Sequence, residues 1–216
     1  MTDEYTLYAI HSRYRPRAEP IRMIFHYGKQ PFKDVHVDAS EFGAMKDKVP
    51  LRQFPTIEVK SPGKTFMLGQ TTTILRFLAR KFDLMPKDEV EEALCDMYGE
   101  YIQEFEDLIA RWQWSLYTQS YWEIEADFFK GKVVGMANRI GKVLSKAIEK
   151  NGTGFLVGSK LTWSDIFLAE VVDKLYAFHK KNDLFAEYPV IEKHHNMVYS
   201  LPELLDYVSN RPQFVW

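Results

Sequence analysis

The stretch Pro50–Arg80, PLRQFPTIEVKSPGKTFMLGQTTTILRFLAR, decides how the first part of the chain folds. Thr56-Ile57-Glu58-Val59 is a short β-branched run and reads as a strand. Pro55 stands directly ahead of it, a position open to a residue that cannot donate to a sheet ladder. A cis Phe54–Pro55 bond would turn the Phe54 backbone outward, with its N–H and C=O open to an extended peptide. Ser61-Pro62-Gly63-Lys64 is a turn built on two breakers, and Thr65–Leu68 is the returning strand. Gly69-Gln70-Thr71 then meets a helical pattern in which Ile74, Leu75, Leu78 and Phe82 mark one face. Gln70 or Thr71 is placed to cap that helix, and a helix start with open N–H groups suits a carboxylate. On spacing alone the plainer reading is a hairpin and a capped helix with no ligand.

Outward from this stretch the same rules continue. Tyr5–Ile10 reads as a strand, His11–Pro16 as a loop, and Arg17–Tyr27 as a helix with Ile21, Ile24 and Phe25 inward. Phe32–Val37 is a second strand and Glu41–Lys46 an irregular helical turn. The series predicts a small four-stranded α/β layer, a thioredoxin-like unit over residues 1–82. Residues 83–88, ending in Met85-Pro86-Lys87-Asp88, form a linker, and 89–216 carries only helical patterns. Val90, Leu94, Met97, Tyr101, Phe105, Leu108 and Trp112 step by three or four residues and predict one buried face. That helix reaches Tyr117, about 40 Å at 1.5 Å per residue. A second long helix carries Val133, Ala137, Ile140, Leu144, Ala147 and Ile148, and Asn151-Gly152-Thr153-Gly154 stops it.

Thr162-Trp163-Ser164-Asp165 reads as a capping box with aspartate in place of glutamate. Thr162 is expected to accept from the Asp165 N–H, and the Asp165 carboxylate from the Thr162 N–H. Leu161 and Ile166 stand at the staple positions. Two shorter helices, Ile191–Tyr199 and Pro202–Ser209, complete the chain.

With 216 residues, 46% of them hydrophobic, the chain can bury a sizeable core in one or two domains. A net charge of −2 gives no prior for nucleic acid or an anionic membrane. The basic cluster Arg13, Arg15, Arg17 and Arg22 lacks the interleaved aromatics of a nucleic-acid surface. The single cysteine, Cys95, excludes an intrachain disulfide and reads as a buried, inert thiol. The adjacent pair His194-His195 is a poor metal motif, and no metal is expected. Met1-Thr2-Asp3-Glu4 opens no signal peptide, and no run approaches the ~20 apolar residues of a membrane span. A cytoplasmic protein is the expectation.

Several motifs, in order along the chain, resemble the cytosolic glutathione S-transferases, in particular the sigma-like group with its nematode and other helminth members. Q-x-P-x-I-E-V with Gln70-Thr71 at a helix start resembles that family's glutathione-binding half. Arg17-Ala18-Glu19-Pro20 resembles its R-A-E helix start. Phe155-Leu156-Val157-Gly158 through Asp165 resembles F-L-V-G-D-x-L-T-W-x-D. Leu201-Pro202 and Asn210-Arg211-Pro212 resemble its C-terminal ending. The resemblance implies a thioredoxin-like domain followed by an all-α domain, a homodimer, and glutathione as co-substrate. It also implies transfer of glutathione to hydrophobic electrophiles in detoxification, with lipid isomerase or peroxidase side activity.

It implies site residues too. Phe54, before Pro55, pairs with the glutathione backbone, and Gln70 and Thr71 hold the γ-glutamyl end. Lys46 lies near the glycyl carboxylate, and Phe42 stands where the family often has a tryptophan that reaches the same group. Gln53 occupies a lysine or glutamine position, Arg17 matches an arginine near the active site, and Glu104 reaches the γ-glutamyl amine from the partner subunit. Tyr14, Arg111, Trp112 and Tyr117 are walls for the hydrophobic substrate.

A hydroxyl donating to the thiolate lowers the pKa of a thiol, and in the sigma-like group a tyrosine ending the first strand supplies it. Here the chain departs from the pattern. Counting from Tyr5 puts the tyrosine slot on Ala9; counting back from Glu19 puts it on His11. Tyr8 is the first candidate, with Tyr14, Ser12 and His11 as alternatives. A one-residue slip flips a strand side chain to the opposite face. A catalytically weak or inactive ligand-binding or structural protein on the same fold is therefore the alternative function.

Overall fold

The computed structural model describes residues 3–10, 17–38, 40–117, 129–179 and 183–211. They separate into two compact units, Met1–Leu84 with Leu201–Trp216, and Met85–Ser200.

In the first unit the hairpin stretch takes the expected form and lies within a four-stranded sheet of order β2-β1-β3-β4. The elements are β1 (Glu4–Ile10), α1 (Glu19–Tyr27), β2 (Lys33–Val37), α2 (Phe42–Lys46), β3 (Thr56–Ser61), β4 (Lys64–Gly69) and α3 (Thr71–Lys81). β1 runs parallel to β2 and antiparallel to β3, and β3 and β4 form the antiparallel hairpin. Alternation along β1 buries Tyr5, Leu7 and Ala9 on one face, and the register sets Tyr5 and Leu7 beside the buried Val59 and Ile57. The inward rows of α1 (Ile21, Ile24, Phe25) and α3 (Ile74, Leu75, Leu78) are fully buried, and the Tyr5 ring lies 5.3 Å from that of Phe25.

The unit boundary after Leu84 falls inside the expected linker 83–88, but the last helix does not follow the expected 89–216 division. α8 (Pro202–Asn210) belongs with the sheet unit because buried polar groups tie it to α1. The Tyr207 hydroxyl (2.9 Å) and Arg211 Nη1 (2.8 Å) donate to Glu19 Oε1, and His26 stacks on Tyr207 with ring centroids 4.0 Å apart.

The second unit holds α4 (Glu89–Tyr117), a π-turn (Phe129–Val133) running into α5 (Val134–Asn151), α6 (Trp163–His179) and α7 (Pro189–Tyr199). The buried row of α4 is not entirely the expected one. Val90, Leu94 and Met97 are 66%, 37% and 52% exposed, whereas Cys95, Ile102, Phe105, Ile109 and Trp112 are buried. The face turns because Gly99 lies against the Trp163 ring, which occupies the space a Cβ would need there. α5 buries Ala137, Ile140, Leu144 and Ile148 as expected, with Ala147 half-buried, and ends at Gly152 in the left-handed conformation, whose N–H reaches Ile148 O.

The capping box forms with one reversal. The Thr162 N–H donates to Asp165 Oδ2 at 2.9 Å as expected, but the Thr162 hydroxyl donates to the same oxygen at 2.6 Å instead of accepting from the Asp165 N–H. Asp165 Oδ1 takes the Leu156 N–H (2.8 Å) and lies 2.9 Å from His194 Nε2, so the carboxylate is saturated. Cys95 is fully buried with Sγ 3.4 Å from Ser164 Oγ, and burial pushes its thiol pKa up. Lys174, fully buried, contacts Glu106 at 2.7 Å and Glu170 at 3.3 Å. Burial pulls the ammonium down, but the two carboxylates outweigh it and hold the pKa above that of an ordinary lysine. No helix among the described residues is long and apolar enough to cross a membrane.

Candidate functional site

The candidate site lies in the sheet unit, at the end where β1 finishes, β3 begins and β4 hands over to α3. The register sets Tyr8, Thr56 and Gly69 side by side across three strands. The Phe54–Pro55 bond immediately before Thr56 is cis. Phe54 stands outside the ladder, and no hydrogen bond to its backbone occurs among the described residues. The main-chain polar groups of Phe54 are thus available to an extended peptide, as an uncovered strand edge is.

Gln70 is the N-cap of α3, but neither its side chain nor that of Thr71 caps the helix, contrary to expectation. Gln70 Nε2 turns away and donates to Gln53 Oε1 at 2.9 Å, while Gln53 O accepts from Thr56 Oγ1 at 3.0 Å. The Gln70 backbone sits at φ 70°, ψ 123°, outside the regions open to most side chains. The helix start therefore presents its N–H groups uncapped beside two exposed amide side chains, an arrangement that favours an anionic group. The Gln53–Gln70 bond was not foreseen. Its signal was present: both residues flank the hairpin at the end where Thr56 pairs with Gly69.

Phe42 in α2 packs on Phe54 with ring centroids 5.7 Å apart, and Lys46 Nζ lies 5.0 Å from the centre of the Phe42 ring. Phe42, Lys46, Gln53, Phe54, Pro55, Gln70 and Thr71 are all within this unit, and Arg17, half-buried, precedes α1. Tyr8 leaves the sheet on the face opposite Leu7 and Ala9. Its hydroxyl makes no hydrogen bond among the described residues, and burial, then the Glu58 charge, push its pKa up, so it stays a neutral donor. Tyr14, Ser12 and His11 lie outside the described residues, as does the side chain of Tyr117. In the helical unit Glu104 and Arg111 are exposed, whereas Trp112 is buried, 4.6 Å from the Phe129 ring. Among the described residues no group of His, Cys, Asp or Glu is placed to hold a metal.

Residues 103–211 match the family described as glutathione S-transferase, C-terminal domain. The chain is 32% identical over 199 residues to the probable glutathione S-transferase gst-36 of Caenorhabditis elegans, covering 91% of this chain and 92% of the relative. It is 33% identical over 202 residues to glutathione S-transferase 4 of the same organism, with the same coverage. Among solved structures, the monomeric Na-GST-3 of the hookworm Necator americanus superposes with a TM-score of 0.85 at 27% identity, covering 97% of this chain and 98% of that one. The four-stranded mixed sheet followed by a helical unit matches the fold of the solved relative, and the chain belongs to the glutathione S-transferase family.

Proposed function

We propose that the chain is a sigma-like glutathione transferase of the cytoplasm that adds the thiolate of glutathione to hydrophobic electrophiles. The observation that carries the reading is the pairing of the uncovered Phe54 backbone with the uncapped start of α3 at Gln70. The first suits the peptide main chain and the second its γ-glutamyl carboxylate. Lys46, over Phe42, serves the glycyl carboxylate. Thr71, Gln53 and Arg17 complete the glutathione-binding set. Tyr8 is the first thiol donor to test, before Tyr14, Ser12 and His11. Arg111, Trp112, Tyr14 and Tyr117 are assigned to the electrophile. Thiolate stabilisation and proximity supply the rate, and lipid-derived electrophiles are substrates for isomerase or peroxidase side activity.

A homodimer, with Glu104 reaching the partner's glutathione, has support of its own. The exposed row Val90, Leu94 and Met97 is flanked by Glu89 and Glu100. A groove of about 530 Å³ beside β4 and α3 is lined by Phe77 and Leu68 with Arg76, Arg80 and Lys81. A second copy brings acidic and apolar to basic and apolar. Light scattering decides this against the monomeric state described for the hookworm relative.

One observation favours a second reading. Ala9, in the tyrosine slot counted from Tyr5, is 1% exposed and has no hydroxyl. On that reading the chain binds glutathione without turning it over. A glutathione-affinity column followed by a conjugation assay with chlorodinitrobenzene separates the two. Retention with turnover that falls in Tyr8→Phe supports the enzyme and its donor, and retention without turnover supports the carrier. Failure to bind glutathione rejects both.

A further inference from the structure

The motifs R-A-E and N-R-P, from opposite ends of the chain, meet in the sheet unit through Glu19 and Arg211. Glu19 is the first residue of α1, which leaves the sheet at the end where β1 finishes and Tyr8, Thr56 and Gly69 lie abreast. Its carboxylate is 2% exposed. Oε1 accepts from Arg211 Nη1 at 2.8 Å and from the Tyr207 hydroxyl at 2.9 Å, and Oε2 lies 3.4 Å from Arg22 Nη1. Arg22, however, is committed elsewhere: its Nε (2.7 Å) and Nη2 (3.1 Å) grip Asp34 as a fork. His36 also lies on Asp34, at 3.3 Å, and His26, near Asp206, stacks on Tyr207. Of the four full charges, Glu19 and Asp34 are balanced by Arg22 and Arg211. Removal of Arg211 leaves a buried carboxylate in excess at the head of α1.

Resting on the glutathione-transferase reading, we infer that Arg211 is a positioning residue for the reaction. By neutralising Glu19 it keeps the head of α1 positive where the thiolate must form, although it stands in the last helical segment. The helix start favours an anion, and an uncompensated carboxylate there opposes one. A unit charge gained or lost on the order of 10 Å away moves an acid by about 0.5–1 pH unit.

The test is the pH profile of kcat/KM for glutathione conjugation, with the ultraviolet absorbance of bound thiolate against pH as a second readout. Arg211→Met should move the acidic limb up by about 0.5–1 pH unit, and Arg211→Lys should restore it. Glu19→Gln should move it down, and the double variant should return it toward wild type. A purely structural role lowers yield, thermal stability or kcat without opposite shifts of the limb. Should Arg211→Met not fold, Glu19→Gln, which keeps the shape of the site, decides alone by the sign of its shift. A limb that stays in place in both variants, or moves the same way in both, overturns the inference. A wild-type chain that is not retained by glutathione overturns the transferase reading first, and is recognised before any variant is made.

Discussion

The two units handle awkward backbone in opposite ways. Among the described residues, every non-glycine with a left-handed φ (Lys29, Leu51, Arg52, Gln70 and Asp83) lies in the sheet unit. The helical unit gives that conformation to Gly152, Gly154 and Gly158, where it carries little penalty. Both units bury ionic groups, Lys174 with Glu106 and Glu170 in the helical unit and Glu19 with Arg22 and Arg211 in the sheet unit, and the helical unit adds a saturated carboxylate, Asp165. The sheet unit leaves Gln53 and Gln70 exposed and bonded to each other. Strain held at an accessible edge can be exploited by a ligand, whereas a satisfied network in a dry interior serves the fold.

The largest expected effect tests the interior side of this contrast. Lys174→Met leaves two carboxylates facing each other without their cation and should destabilise the chain by about 3–5 kcal/mol in urea unfolding. A loss under 1 kcal/mol would show that the cluster is not the anchor its burial implies. Next, Gln70→Ala should weaken glutathione binding by about 1.5–3 kcal/mol in titration calorimetry, as loss of a hydrogen bond to a charged group does. Gln70→Gly should lose similar affinity yet gain about 1 kcal/mol of stability, because glycine tolerates φ 70°. Equal stabilities for the two variants would remove strain from the account. Thr162→Ala removes one of the donors to the buried Asp165 carboxylate and should cost about 1–2 kcal/mol with glutathione affinity unchanged.

The smallest effect is a slope against pH. Burial raises the Glu19 carboxyl, but Arg211 and Arg22, with the Tyr207 hydroxyl, outweigh it and hold its folded pKa below the ordinary value. A group depressed on folding contributes stability that is full above its unfolded pKa of about 4.3 and is lost as pH falls through the folded value. Acid unfolding below pH ~4 should therefore be shallower in Glu19→Gln than in wild type. An unchanged slope would remove Glu19 from the acid-sensitive groups.

What local pattern can carry was legible. The run Thr56–Val59, the Pro62-Gly63 turn and the apolar steps of α3 give the hairpin and its helix, because each depends on neighbours in the chain. The quoted motifs carried the family. What stayed hidden depends on partners far away. Trp163 against Gly99 turns the buried face of α4 away from Val90, Leu94 and Met97. Arg211 against Glu19 draws the last helix to the sheet unit. His194 reads only as half of a poor metal motif until Asp165 is found 2.9 Å from it. At the site, residues around the hairpin were readable, but the Gln53–Gln70 bond and the bare start of α3 are set by backbone angles that composition does not encode.

A catalyst of thiol additions lives among compounds that alkylate sulfur. This chain has a single sulfhydryl of its own, Cys95, shut inside the helical unit with its ionisation suppressed. The reagents it handles meet only the sulfur of the tripeptide it presents to them. Self-inactivation by that route must wait for the helices to come apart, so its working lifetime in the presence of substrate is bound to the integrity of the helical unit.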